Sequence, residues 1–273
     1  MDLSNKDKGW SIAEGFLIVF LITISIEFFC LIFTLLINSI IFLSGLDDSP
    51  ILINYIMLLG RGLALFIILR YFFKKSNLKC IFKQRFKKKI SLWQLFFGVL
   101  LLIGYILTYS TSIDLLLSNV QFSQTFIDGS NNLLANPTYA LISSVLFAPI
   151  YEEIIYRGML LEKLSVKYNI YTSIVVSALV FAISHLNFQQ GMTTFFLGLI
   201  LGFIYIKTRS LLMSISIHLI NNLYFILSIF IPDIPSTISG TFNIYKLVVG
   251  LSLLLLGLLF FNKTKKSKYL ISF

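Results

Sequence analysis

The sequence predicts an all-α polytopic integral membrane protein of about eight transmembrane helices with both termini in the cytoplasm. Three observations carry that prediction. Of 273 residues, 57% are hydrophobic and 12% charged, and mean hydropathy is +0.89; a soluble domain carries roughly 25% charged residues. Apolar stretches recur near 12–44, 51–73, 92–113, 138–162, 172–188, 192–207, 210–231 and 244–262. Each approaches or exceeds the ~20 residues that cross a bilayer as a helix, the fifth and sixth being short. Third, Lys and Arg collect in alternate connections, as cytoplasmic loops do.

Taken in order, Lys6 and Lys8 precede the first span, which is longer than a signal-peptide core and lacks a small-residue cleavage pattern. It is expected to be retained. Spans two and three are joined by the basic segment 74–89, KKSNLKCIFKQRFKKK. Lys163 and Lys167 follow span four, Lys207 and Arg209 follow span six, and Lys263, Lys265, Lys266 and Lys268 follow span eight. The other connections, 45–50, 114–137, 189–191 and 232–243, hold no Lys or Arg. Eight spans with both ends inside fit this alternation. The net charge of +10 therefore reads as a topology signal rather than a nucleic-acid surface. The 74–89 segment could also meet anionic lipid. The 114–137 loop is polar and is expected to face outward with some ordered turns. Two cysteines, Cys30 and Cys80, suggest neither a disulfide framework nor a metal knuckle. Gly198 and Gly202 form a GxxxG pair, a face for close helix packing. No repeat or soluble domain interrupts the chain, so 1–273 is expected to be one membrane domain.

Ionisable side chains inside spans are costly, at least ~2.5 kcal/mol each, and are usually functional. Span four contains three within FAPIYEEIIYRG: Glu152, Glu153 and Arg157. On a helix Glu153 and Arg157 are i,i+4 neighbours and can pair, while Glu152 points about 100° away and stays free. Pro149 removes a backbone hydrogen bond and should kink the helix. The chain's two histidines are His185, in span five, and His218, in span seven with Asn222 one turn later. At ~1.5 Å per residue, Glu152 and His218 lie about 12–15 Å from the cytoplasmic ends of their spans, Asn222 about 18 Å and His185 about 20 Å. The four can meet at mid-depth. Glu27 in span one and Arg61 in span two are also near mid-depth and are expected to form a buried, structural ion pair, with substrate binding as the functional alternative.

Glu152-Glu153-x-x-x-Arg157, Phe181-x-x-x-His185 and His218-x-x-x-Asn222, on separate spans and in that order, resemble the CAAX-protease and bacteriocin-processing (CPBP, Abi) family of intramembrane glutamic endopeptidases. The resemblance covers roughly 138–231, the motif-bearing core. It implies that Glu152 and His185 activate a water, and that His218 and Asn222 donate hydrogen bonds to the oxyanion. It further implies that Glu153 with Arg157 holds the site and that Phe181 packs beside His185. It implies no cofactor. Zinc on Glu152, His185 and His218 is the chemical alternative, although HExxH is absent.

The expected substrate is a membrane-associated peptide or protein, met from the cytoplasmic side. Richness in Ile, Leu, Phe, Lys and Asn hints at an AT-rich bacterial genome, hence a bacterial plasma membrane and a role in bacteriocin immunity or maturation, or in peptide-signal processing. The membrane lipids are the other expected partner; nucleic acid is not. A non-catalytic immunity or scaffold protein is the main rival reading. A proton-coupled transporter is the third, and it predicts symmetric halves, for which the sequence offers no echo.

Overall fold

The computed structural model describes residues 9–44, 49–75, 78–117, 119–121, 123–231 and 241–263, and all regular structure among them is helical. Lys6, Lys8, Lys265, Lys266 and Lys268 lie outside these residues, as do loop segments 45–48 and 232–240. The helices are α1 (Ile12–Ser44), α2 (Pro50–Lys75), α3 (Leu78–Lys87), α4 (Leu92–Ser110), α5 (Ile113–Leu116), α6 (Gln124–Ala135), α7 (Pro137–Lys167), α8 (Ile170–Ile183), α9 (Phe188–Thr208), α10 (Leu211–Phe230) and α11 (Ile244–Lys263).

Among the described residues, seven helices are long and apolar enough to cross a membrane: α1, α2, α4 continuing into α5, α7, α9, α10 and α11. The fifth expected span is α8, whose 14 residues reach only about 21 Å, short of a ~30 Å hydrocarbon core. The chain reverses just after it through Leu186, which has φ 53°. This turn is tied down by polar contacts: Asn187 Nδ2 donates to Ser123 Oγ (3.1 Å) and Gln189 Nε2 to the Leu117 carbonyl (3.1 Å). Irregular backbone at such a depth persists where protein covers it. The cover comes from the 114–137 stretch, expected as a loop with turns and found mostly helical as α5 and α6. Its apolar positions Phe126, Leu133 and Leu134 recur at helical spacing, and Ser123 accepts from Phe126 N as an N-cap.

Helix starts follow the sequence closely. Asn169, Asn187 and Ser210 cap α8, α9 and α10, accepting from Thr172 N, Gln190 N and Met213 N. Gly198 and Gly202 do form a close-packed face: a Cβ on Gly198 would stand 3.0 Å from Ala178 Cβ, and one on Gly202 3.1 Å from Ile174 Cγ2, both on α8. Helices α4 and α11 cross closely where Gly104 meets the Gly250 backbone, with Phe97 and Phe260 stacked 4.0 Å apart.

Among the described residues three apolar clusters result, the smallest being Ala140 and Val145 of α7 with Ile226 of α10. Of the larger two, one surrounds α7 with residues of α1, α2, α3, α8 and α10, and the other joins α4, α9, α10 and α11. Helix α7 is irregular: it is π-helical over Leu141–Phe147 and Ile154–Leu161, with an α-helical Ala148–Glu153 between. Pro149 lies in the α-helical middle segment, between the two π-helical stretches. Wide π turns are rare and tend to mark functional sites.

Candidate active site

The α-helical middle of α7 presents Glu152 and Glu153 to the protein interior. Glu153 and Arg157 are 0% and 1% exposed, and Arg157 Nη1 donates to Glu153 Oε1 at 2.7 Å, the i,i+4 pair expected from spacing. Arg157 Nη2 also reaches the Gly198 carbonyl (3.3 Å), which the absence of a side chain at Gly198 helps leave accessible. The guanidinium carbon lies 4.7 Å from the centre of the Phe181 ring, a cation–π distance.

His218, from α10, is also buried and completes the cluster. Its Nδ1 is 2.9 Å from Glu153 Oε1, and its Nε2 is 3.6 Å from Glu152 Oε2, beyond a direct hydrogen bond. One ring therefore stands between the two carboxylates. Because a carboxylate only accepts, Nδ1 carries the proton when Glu153 is ionised. Glu153 Oε2 and Arg157 Nε are buried without hydrogen-bond partners, the kind of exception that calls for a reason.

His185 is half-buried and sits past the end of α8, not inside a span as expected. Its Nδ1 is 2.9 Å from the Phe181 carbonyl one turn back and donates to it, so that in the neutral ring Nε2 is the nitrogen with the lone pair. Phe181 touches both imidazoles edge-on, with ring centres 5.0 Å from His185 and 5.8 Å from His218. No hydrogen bond joins Glu152 to His185 among the described residues; the imidazole that Glu152 faces is His218. Asn222 donates through Nδ2 to the Ser144 carbonyl at 2.8 Å, within the first π-helical stretch. Motif residues of α7, α8 and α10 thus converge, with His185 at the margin and Asn222 turned onto α7. Among the described residues no three His, Cys, Asp or Glu gather as metal ligands, so the candidate zinc set of Glu152, His185 and His218 does not converge here.

Sequence reasoning missed a second polar centre, one span-end away. Glu162 Oε1 accepts from Arg85 Nε and from Tyr205 Oη, both at 2.7 Å, with Arg209 Nη1 3.5 Å off. Burial opposes the Arg85 charge, but the Glu162 carboxylate outweighs it and the guanidinium pKa is raised. The signal was a lone acid among basic end-of-span residues, easily read as topology. The expected Glu27–Arg61 pair does form, at 3.1 Å, but it is not buried: the side chains are 54% and 35% exposed. They lie between α1 and α2 rather than within a core.

The family model for type II CAAX prenyl endopeptidase Rce1-like proteins matches residues 134–224, a segment holding every motif residue above, so that segment is similar in sequence to this family. Comparison with curated proteins and with solved structures gave no match.

Proposed function

We propose that the chain is an intramembrane endopeptidase in which Glu152 is the general base. It takes a proton from water as the oxygen attacks a peptide carbonyl, and returns that proton to the amine as the C–N bond breaks. His185, with its Nε2 lone pair, assists at the water. His218 and Asn222 donate to the oxyanion. Asn222 keeps one N–H beyond its bond to Ser144.

The observation that supports the reading best is the chain of contacts Arg157–Glu153–His218, which leaves His218 Nε2 directed at Glu152. With His218 protonated, two carboxylates face two cations and the buried cluster is neutral. Its Nε2–H is then a fixed donor beside the base, as oxyanion stabilisation requires. Glu153 and Arg157 are positioning residues. The roles need no metal, and the substrate is a membrane-associated peptide or protein, cleaved in a bacterial plasma membrane from the cytoplasmic side. In that setting the activity serves bacteriocin immunity or maturation, or peptide-signal processing.

The test compares membranes carrying the wild type and Glu152→Gln at matched expression, reading peptide termini by mass spectrometry with and without a chelator. Termini present only with the wild type and indifferent to chelator are expected. Chelator-sensitive termini would transfer the chemistry to zinc. Identical profiles, with both proteins folded, would favour the non-catalytic scaffold.

A further inference from the structure

We propose that the outward face of α3 is a docking surface for the headgroups of anionic phospholipids. Helix α3 joins two membrane-spanning helices, α2 and α4, so connectivity alone puts it at a membrane boundary. Its two faces differ sharply. Inward, Phe82 is buried against Gly158 of α7, where a Cβ would stand 2.6 Å from the Phe82 ring, and Arg85 is held by Glu162. Ile81 and Phe86 pack on the same core.

Outward, Lys83 and Lys87 lie one helical turn apart and are exposed, and Lys88 and Lys89 extend the exposed basic stripe towards α4. The backbone there is pinned, since the Lys88 carbonyl accepts from Ser210 Oγ at 3.2 Å. Immediately afterwards Trp93 and Phe96 are exposed, as aromatic rings are at the headgroup level. A lysine row on a backbone pinned at Lys88, beside an exposed indole, matches phosphate-bearing headgroups in position as well as in charge. A soluble acidic partner would not require the row to sit at that level. Attraction to an anionic leaflet amounts to roughly fivefold per lysine at moderate salt. The inference is independent of the peptidase reading.

The test uses the full chain with Trp10→Phe, leaving Trp93 as the sole indole, in phosphatidylcholine vesicles with a minor fraction of phosphatidylglycerol. Quenching of Trp93 by brominated phosphatidylglycerol is compared with quenching by brominated phosphatidylcholine at equal mole fraction. At least about threefold stronger local enrichment of the anionic lipid is expected, falling towards equality in Lys83→Gln/Lys87→Gln/Lys88→Gln/Lys89→Gln and in high salt. Equal quenching by the two lipids in the starting protein would overturn the proposal. So would a preference that survives the four substitutions, or one abolished by inorganic phosphate at constant ionic strength, which would mark a free-anion site instead. Quenching by phosphatidylcholine reports, for each variant, that the protein is inserted.

Discussion

Helix α7 carries two buried carboxylate centres less than three turns apart, and they are built on opposite principles. At Glu162 one carboxylate oxygen faces two guanidinium groups and a phenol. Donors are in excess, and the centre ties α3, α7, α9 and the Arg209 turn together. At Glu152 and Glu153 two carboxylates share one arginine and one imidazole, and two buried polar atoms remain unpartnered. One of these atoms is an acceptor, Glu153 Oε2, and one a donor, Arg157 Nε. The two carboxylates have a single guanidinium between them, however, so by ionic groups acceptors are in excess. A donor-rich centre holds elements in place; an acceptor-rich one retains a carboxylate able to take a proton. Having arginine beside glutamate does not distinguish the two. The count of donors against acceptors does.

The largest effect that could break this contrast is on catalysis. Glu152→Gln should lower peptidase activity by about 10²–10⁴-fold, the range for a lost general base, while thermal unfolding in detergent barely moves. A Glu152→Gln protein that unfolds readily would make Glu152 structural, like Glu162. Next comes Arg157→Met, which strands Glu153 as a buried uncompensated charge and should cost about 3–5 kcal/mol of stability. Adding Glu153→Gln should recover part of that loss in the same unfolding assay. If the double variant is less stable than the single, the pair is not the unit described.

Glu162→Gln should cost about 1.5–3 kcal/mol, because the charge-assisted hydrogen bonds from Arg85 and Tyr205 are weakened while the half-buried Arg85 regains some water. The protein that remains folded should keep its specific activity. Proportional loss of kcat in folded protein would merge the two centres into one functional unit.

These contrasts also mark what was legible in the sequence. Long apolar spans are read directly from composition, and α1 begins and ends where expected because nothing in 12–44 competes with a helix. The Glu153–Arg157 pair follows from spacing alone. Long-range contacts do not. Nothing local tells that His218 of α10 leans on Glu153, or that Glu152 faces His218 rather than His185. His185 looked like an intramembrane helical residue because FAISHL is apolar, yet the helix ends at Ile183. The left-handed Leu186 that turns the chain carries no Gly or Asn to announce it. The π turns of α7 were equally silent, since Pro149 predicts a kink and the π-helical stretches lie on either side of its segment. Arg85 looked like one more topology charge because its partner Glu162 is 77 residues away.

The smallest effect concerns the Glu27–Arg61 ion pair, which sits between α1 and α2 and belongs to neither α7 centre. Half-exposed side chains gain less from pairing than buried ones, and polar interactions between membrane helices measure about 0.6 kcal/mol on average and at most about 1.7. Arg61→Gln alone leaves Glu27 charged at mid-span; Glu27→Gln/Arg61→Gln together leaves two neutral amides that can bond to each other. The double variant should therefore be more stable than the Arg61→Gln single, with a coupling of about 0.2–1 kcal/mol from the full double-mutant cycle in detergent. Zero coupling would mean that the 3.1 Å contact contributes nothing to folding. A cycle with no stability coupling but a raised KM in both single variants would move the pair from scaffold to substrate path, where its exposure then becomes the useful property rather than the weakness.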